Sequence, residues 1–399
     1  MRDFLPADKA RRERFLRVIR DTYRSHGFDE IETPAVEDHA RLHSGLGGDN
    51  EKLAFGILKR GLAVEDLSAV SDLTELTDLG LRFDLTVPLA RFYASHRAEL
   101  PAVFRSIQIG PVWRAERPQK GRYRQFVQCD IDIIGESGPL AEIELITATH
   151  AALDALGVTQ CTIRINDRRI LTGMLASWGV PEAQHGAALI TIDKLDKIGA
   201  DGVAAELAEQ GIEAPGFAET VATAGWSLAD SPPRWLDVDV YRELLAIRDA
   251  VPEISLVFDP TLVRGMGYYT GTIFEVAHPE LGYSLGGGGR YDGMIGRFLG
   301  TPVPAIGFSL GFERLVDLVE EGTAASATAV AVLHGPEASP AQLVRLKQSL
   351  QRSADRVRLE LAMKNKKAQF AALAAAGFTH IAYADDSSTP DSLELRPLS

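Results

Sequence analysis

The sequence predicts an α+β protein of more than one domain, and three stretches carry that expectation. Residues 104–135 read as two antiparallel strands, FRSIQIGPVW and FVQCDIDIIG, joined by a loop dense in cations. Residues 168–250 are rich in Ala, Leu and Glu and helical in pattern, like a subdomain inserted between strands. Beyond a small-residue linker, EEGTAASATA at 320–329, strand and helix alternate as in a small α/β module with a largely parallel sheet.

The elements follow in order. Phe15, Leu16, Val18, Ile19 and Tyr23 recur at helical spacing over 7–26, Gly27 stops that helix, and FDEIETPAV reads as a strand. A polar loop with Gly45, Gly47 and Gly48 comes next, then LGLRFDLTVPLARFYASH, a strand running into a helix near Pro88. After the basic hairpin, residues 138–157 form an Ala/Leu-rich helix and CTIRIND a strand. The helical stretch that follows is interrupted by a loose segment, GFAETVATAGWSLADSPPRW. Strand patterns resume at ISLVFDPTLVRG, YYTGTIFEVA and YSLGGGGRYD, and a helix begins in SLGFERLVDLVEE. The last module reads AVAVLHG, a helix at 339–352, VRLEL, a helix at 364–376, HIAYA and a barely specified LELRPL.

Bulk properties narrow the class. At 399 residues the chain should hold two or three domains, taking ~150 residues for each. Apolar residues make up 45%, enough for a substantial core. A net charge of −13 argues against binding nucleic acid through a uniformly basic surface, while leaving room for local positive patches. Cys129 and Cys161 lie in apolar strand-like runs without metal-ligand spacing, which fits buried thiols in a reducing cytoplasm. The charged start, MRDFLPADKARRERFL, is no signal peptide, and no apolar run is long enough to span a membrane.

The candidate chemistry begins in WRAERPQKGRYRQF, where Arg114, Arg117, Lys120, Arg122 and Arg124 recur every two or three residues. Arginines fixed on strands suit a two-pronged grip on phosphates or carboxylates. A solvated charged hairpin would not call for Gln128, Asp130 and Asp132, which period-two spacing aims at one face of the outgoing strand. Asp84 and Thr86 in RFDLTVPLARF are placed on one strand face, where Asp84 could hold an ammonium group. The run GGGGRYDGMIGRF at 286–298 fits close backbone approach to a planar or phosphate ligand beside Arg290, or else a tether. It is neither GxGxxG in a dinucleotide-binding context nor a P-loop. Arg314, at a strand-to-helix junction in GFSLGFERL, is either a ligand or a helix-surface residue. Arg264, beside Tyr268 and Tyr269 in LVRGMGYYTGTIFE, either lines a pocket or marks a bend in a sheet. The nine histidines form no HExxH or other ligand cluster. Together these residues offer arginines for phosphate, carboxylates for an amine and glycines for a flat base. They point to activation of a small amino compound with a nucleotide, by positioning and charge neutralisation.

From Asp3 to about Leu315, and more weakly beyond, the chain resembles the histidyl-tRNA synthetases of class II. MRDFLP and GFDEIETPAVED resemble the family's start and its motif 1, WRAERPQKGRYRQFVQCDIDIIG its motif 2, and AIGFSLGFERL its motif 3. LVRGMGYYTGTIFE resembles a signature particular to the histidine enzymes, and the 168–250 region, with TIDKLDKIG, falls where they carry a helical insertion. The resemblance implies a six-stranded antiparallel sheet flanked by helices, a small C-terminal α/β anticodon-binding domain, and a cytoplasmic homodimer joined through motif 1. It implies a ligase that uses ATP, Mg²⁺ held mainly by the ATP phosphates, L-histidine and tRNA(His). Arg114 and Arg264 would grip the α-phosphate, Arg264 alternatively reaching the histidine carboxylate. Arg314 would lie at the γ-phosphate end, Gly311 would admit the nucleotide, and Glu116 would contact the adenine amino group. Asp84 and Thr86 would bind the substrate amino group, and Gln128, Asp132, Tyr268 and Tyr269 would line the histidine pocket. Arg117, Gln119, Lys120 and Arg122 would meet the acceptor end of tRNA.

The implied domain plan is a catalytic domain in two parts, 1–167 and 251–319, a helical insertion at 168–250, a linker at 320–329 and a module at 330–399. Two features depart from the family pattern: Gly267 stands where an acidic residue precedes the two tyrosines, and the C-terminal module is short. Residues 326–399 hold nine Lys/Arg and seven Asp/Glu, a local charge of +2 that is compatible with RNA contact. One rival reading is the non-catalytic paralogue, the regulatory subunit of ATP phosphoribosyltransferase. Against it stand the retained Arg114, Glu116, Arg264 and Arg314 and the C-terminal module. A second rival is a synthetase-like enzyme that charges a carrier instead of tRNA.

Overall fold

The structure, a computed structural model, describes residues 1–43, 52–117, 121–222, 225–226, 233, 235–264, 268–319 and 328–398. The loop glycines 45, 47 and 48, Gln119, Lys120, Gly267 and most of the linker lie outside the described residues. The chain forms two compact units, one of Met1 and Phe15–Val319, the other of Arg2–Arg14 and Glu320–Ser399.

The chain opens with α1 (Pro6–Ser25), β1 (Asp29–Glu30), β2 (Val36–Asp38), α2 (His39–Leu42) and β3 (Phe55–Leu58). Next come α3 (Val64–Ala69), β4 (Thr77–Leu81), α4 (Thr86–His96), β5 (Phe104–Trp113), β6 (Gln125–Ile134), α5 (Leu140–Ala155) and β7 (Thr162–Asp167). A helical run follows: α6 (Arg168–Ser177), α7 (Glu182–Ile192), α8 (Leu195–Glu209), α9 (Phe217–Ala222) and α10 (Val238–Ala250). The first unit closes with β8 (Leu256–Phe258), β9 (Thr272–Ala277), β10 (Gly286–Arg290), α11 (Asp292–Leu299), β11 (Ala305–Gly311) and α12 (Phe312–Leu318). The last module contains β12 (Ala329–His334), α13 (Pro340–Leu350), β13 (Arg356–Leu361), α14 (Lys366–Ala375), β14 (His380–Ala384) and β15 (Arg396–Pro397).

The main sheet runs β1-β5-β6-β11-β10-β9-β7-β8. Its six central strands are mutually antiparallel, as expected. The sheet is nevertheless wider than six, because β1 joins β5 and β8 joins β7 in parallel at the two edges. Those edge strands are two and three residues long, too short to leave a periodic signature. The segment RFDLTVPLARF also differs from expectation. Strand β4 ends at Leu81 and α4 begins at Thr86, so Asp84 and Thr86 occupy a strand-to-helix bend and not one strand face. Pro88 falls in the first turn of α4, where a missing N–H costs nothing, and Asp84 Oδ1 accepts the Val87 amide at 3.1 Å. Buried Arg82 ties the neighbourhood together, donating to the carbonyls of Thr33 (2.7 Å) and Pro111 (2.9 Å).

One apolar core joins the sheet to its helices. Ile131 and Ile133 of β6 and Ile163 and Ile165 of β7 pack with Leu145 of α5, Ile170 and Met174 of α6, and Leu244 of α10. The helical region 168–250 therefore shares its core with the strands that flank it. On the other side, Val87, Leu89 and Tyr93 of α4 pack with Phe104, Met294 and Ile295.

In the last module β13, β12 and β14 are parallel, and β15 adds an antiparallel edge. Val330 and Val332 face α13 through Leu343 and Leu346, while Ala331 and Leu333 face Leu373 of α14. Burial on both faces explains the unbroken apolar run AVAVL.

The glycine run forms β10, buried between β9 and β11. A methyl group on Gly288 would collide with the backbone carbonyl of Gly307 on β11, an atom with no freedom to retreat. Gly288→Ala is expected to destabilise the first unit by at least ~1–3 kcal/mol, the cost of overpacking. Urea unfolding followed by circular dichroism would measure it, and an unchanged midpoint would contradict this packing.

Candidate active site

Strand β6 builds the site from its alternation. Gln128, Asp130 and Asp132 point to one face and are buried. Their cross-strand partners are small or polar: Gly110, Gln108 and Ser106 on β5, and Gly311, Ser309 and Gly307 on β11. On β5 Arg82 fills the space over Gly110, whereas the small partners on β11 leave an open volume beside the three polar side chains. That volume belongs to a cavity of about 600 Å³ lined also by Thr86, Arg114, Arg264, Tyr268, Tyr269 and Arg314.

One end of the cavity is acidic. Asp130 has its carboxyl pushed well above the usual range, first by burial and then by the charge of Asp132. Burial likewise drives Asp132 up to about 7, against a hydrogen bond from Tyr291 and with a further push from Asp84. Tyr291 donates to Asp132 Oδ1 at 2.7 Å. Gln128 Nε2 donates to Ser309 Oγ (3.0 Å), and its Oε1 is buried without a hydrogen-bond partner among the described residues. The Tyr268 and Tyr269 rings stand 4.9 Å apart at 58° beside these groups.

The opposite end is cationic. Arg114 donates through Nε to Phe83 O (2.9 Å) and lies over the Phe126 ring at 5.1 Å. Arg314 donates to Ser284 O (2.5 Å) and Gly121 O (3.2 Å) and lies over the Tyr283 ring at 5.2 Å. Arg264 donates to Glu275 Oε2 at 2.6 Å. Arg314 has its pKa lowered by burial and then by the charges of Arg264, Arg122 and Arg114, so these guanidiniums converge closely enough to repel one another. Glu116 and Arg122 also line the cavity and approach each other at 3.6 Å.

The predicted residues are not all brought to this wall. Asp84 is fully buried behind it and acts on the cavity through its charge. Arg117 is exposed and does not line the cavity. The glycines 286–288 line it as expected, yet Arg290 does not. Arg290 turns the other way, donating to both Glu142 oxygens (2.8 and 2.7 Å) and to the Glu136 carbonyl, so its role is structural. Sequence reasoning missed Arg164, Asp193, Asp196, Glu275, Ser309 and Tyr291, all of which line the cavity. Glu275 had a readable signal, a lone charge in the apolar strand TIFEVA.

A family model described as Histidyl-tRNA synthetase matches residues 1–315. The chain belongs to the histidyl-tRNA synthetase family. It is 57% identical over 418 residues to a histidine–tRNA ligase of Leifsonia xyli subsp. xyli (strain CTCB07), covering 100% of this chain and 97% of that protein. It is 44% identical over 418 residues to a probable histidine–tRNA ligase of Tropheryma whipplei (strain Twist), covering 98% and 96%. The histidyl-tRNA synthetase structure from Nostoc sp. PCC 7120 matches with a TM-score of 0.78 at 27% identity, covering 100% of this chain and 93% of that one. A Bacillus halodurans C structure, described as an ATP phosphoribosyltransferase regulatory subunit/histidyl-tRNA synthetase, shares the fold at a TM-score of 0.77 and 20% identity, covering 97% of each chain.

The raised carboxyls of this synthetase-family site carry a stability cost. Between about pH 4, where an unfolded Asp titrates, and about pH 7, folded Asp132 holds a proton that the unfolded chain releases. Its contribution to stability therefore falls as pH rises through that window and stays lost above it. Asp132→Asn should show a smaller drop in urea midpoint between pH 5 and pH 8 than the wild type, with Asp130 retaining part of the slope. An identical drop in both proteins would rule out a buried, proton-holding Asp132.

Proposed function

We infer that the protein is a histidine–tRNA ligase: it activates L-histidine with ATP and transfers the histidyl group to tRNA(His). The carrying observation within the site is its polarity, with crowded guanidiniums at one end and mutually repelled carboxyls at the other. Arg114 and Arg314 are held by carbonyls and rings and by no carboxylate among the described residues, and Asp130 and Asp132 are held by no described cation, so a polyphosphate suits one end and a cationic amino acid the other. The regulatory-subunit reading gives no reason to retain and bury that arginine cluster.

In the first step a histidine carboxylate oxygen attacks the α-phosphorus. The new P–O bond gives histidyl-adenylate as the bond to the bridging oxygen breaks, and pyrophosphate departs with that electron pair. Negative charge accumulates on the phosphoryl oxygens, and fixed guanidiniums stabilise it without reorganising. We assign that role to Arg114 and Arg264, with Arg314 at the γ-phosphate end, Gly311 leaving room for the nucleotide and Glu116 facing the adenine amino group. Gln128 and Asp132 are assigned to the imidazole, Gln128 Oε1, without a partner among the described residues, being an acceptor ready for a ring N–H. A site built to hydrogen-bond a ring N–H rejects analogues lacking it by ~10⁴-fold or more. Tyr268 and Tyr269 wall the ring, and Thr86 and Asp84 serve the amino group, Asp84 through its field.

In the second step a terminal ribose hydroxyl of tRNA attacks the adenylate carbonyl carbon, and AMP leaves. Arg117, Gln119, Lys120 and Arg122 are the proposed acceptor-end contacts, and residues 330–399 the anticodon-binding module. Magnesium fits as an ion carried largely by the ATP phosphates. Glu116 and Glu313 are carboxylates at the arginine end, and Glu313 already accepts the Val127 amide at 2.9 Å. Bound there, the ion would neutralise phosphate charge. The working form in this reading is a cytoplasmic homodimer. No described helix is long and apolar enough to cross a membrane.

Histidine-dependent exchange of labelled pyrophosphate into ATP tests the first step. Arg264→Ala should lower it by at least ~100–1000-fold, on the scale of losing one stabilising donor, with the fold intact by circular dichroism. Near-normal exchange would refute the assignment. Deleting residues 326–399 should spare exchange while weakening tRNA charging. A folded truncation that fails to form adenylate would show that the module is no separable RNA-binding appendage.

A further inference from the structure

Glu275 is the only charged residue on β9, and its register places Arg164 of β7 on one side and Gly287 of β10 on the other. Its two oxygens are divided between two arginines. Oε2 accepts from Arg264 Nη1 at 2.6 Å, and Oε1 accepts from Arg164 Nη1 at 3.1 Å. Arg164 is itself held from further sides, donating to Asp259 Oδ2 through Nε (2.7 Å) and to Asp196 Oδ2 through Nη1 (2.8 Å). A carboxylate braced in this way cannot swing, so the guanidinium it holds is fixed in turn.

The opposite side of the seat is made by an absence of side chain. A Cβ on Gly287 would lie 2.7 Å from Arg264 Cζ and 2.9 Å from its Nη1. The guanidinium, together with the Phe274 carbonyl oxygen at 2.7 Å, thus occupies the volume that any other residue at 287 would fill. A counter-charge is also needed here, because Arg264 shares the cavity with Arg114, Arg122 and Arg314. Without Glu275, a long flexible side chain would be driven by like charges out of line with the reacting phosphate.

We propose that Glu275 is the positioning residue for Arg264, gripping its guanidinium in a seat kept open by Gly287 and braced by Arg164. Asp196 belongs to the first turn of α8, so the segment TIDKLDKIG anchors the same network. This assignment rests on the histidine-activation reading. Because Glu275 does not touch the substrate in it, its loss should appear in turnover and not in binding.

The test is a double-mutant cycle of Glu275→Gln and Arg264→Ala, read by histidine-dependent pyrophosphate exchange and by thermal unfolding. Glu275→Gln should lower kcat by about 100-fold, the scale of a misplaced catalytic group, with KM for ATP and histidine near wild type. In the Arg264→Ala background the same change should cost nothing further. Added methylguanidine should restore part of the exchange in Arg264→Ala and not in the double variant. Wild-type kcat in Glu275→Gln, or losses that multiply in the double variant, would overturn the proposal. If Glu275→Gln does not fold, the cycle is read with Glu275→Asp, which keeps the charge and withdraws it by one methylene. A wild-type protein without exchange would remove the activation reading and this proposal with it, an outcome distinct from an active wild type with an unaffected variant.

Discussion

Ionisable groups of one kind packed close together, at opposite ends of one cavity, are what the rest of this molecule is arranged to sustain. Asp130 and Asp132 are buried on one strand two residues apart, and each carboxyl is driven up by burial. Arg114, Arg122, Arg264 and Arg314 converge at the other end. The carboxyls are held by β6, a central strand hydrogen-bonded on both sides. The arginines lie outside the strands: Arg114 follows β5, Arg264 precedes β9 and Arg314 is in α12, each held by its own bonds, to Phe83, to Glu275, and to Ser284 and Gly121. The site is an electrostatic load shared between the sheet and these bonds.

The composition of the neighbouring strands follows from that load. Room beside β6 requires small partners, and the register supplies them on β11 at Gly311, Ser309 and Gly307. Such residues are poor strand formers, so the sheet must be held by what surrounds it. Apolar residues of β6 and β7 on the opposite face pack on α5, α6 and α10, and α4 and α11 close a second cluster. The helices of 168–250 share that core, and one of them contributes Asp196 to the cavity wall. Support and chemistry here are two faces of the same strands.

Legibility in the sequence tracked how local each determinant is. The hairpin of β5 and β6 was readable because alternation and a loop rich in turn residues lie within some thirty residues. The same alternation put Gln128, Asp130 and Asp132 on one face, and the structure buries all three together. Asp84 and Thr86 were misplaced on a strand because apolar alternation in RFDLTVPL mimics one. The proline in the first helical turn was the better guide. Arg290 could not be assigned from sequence, since its partner Glu142 is 148 residues away. For the same reason the network of Arg164, Asp259 and Glu275 was invisible: strands β7, β8 and β9 meet only when the sheet forms. The family resemblance implied a domain plan and residue roles. It did not convey which side chains hold those residues in place.

That last distinction has a physical root. A residue that touches substrate is constrained in chemical type, so it leaves a mark in a short motif such as LVRGMGYYTGTIFE. A residue that positions another is constrained in geometry, and its mark need not stay in one motif: Glu275 closes the stretch that holds Arg264, while Gly287 and Arg164 come from other strands. Glu275 and Gly287 are separated by twelve positions in sequence and paired directly in register. Each has an ordinary explanation alone, a strand carboxylate and a strand glycine. The Arg264 guanidinium lies between them, bonded to the Glu275 carboxylate and filling, with the Phe274 carbonyl, the space over Gly287. In the proposed reading Arg264 depends on Glu275, which shares its stretch, and on Gly287 and Arg164, which other strands bring to it.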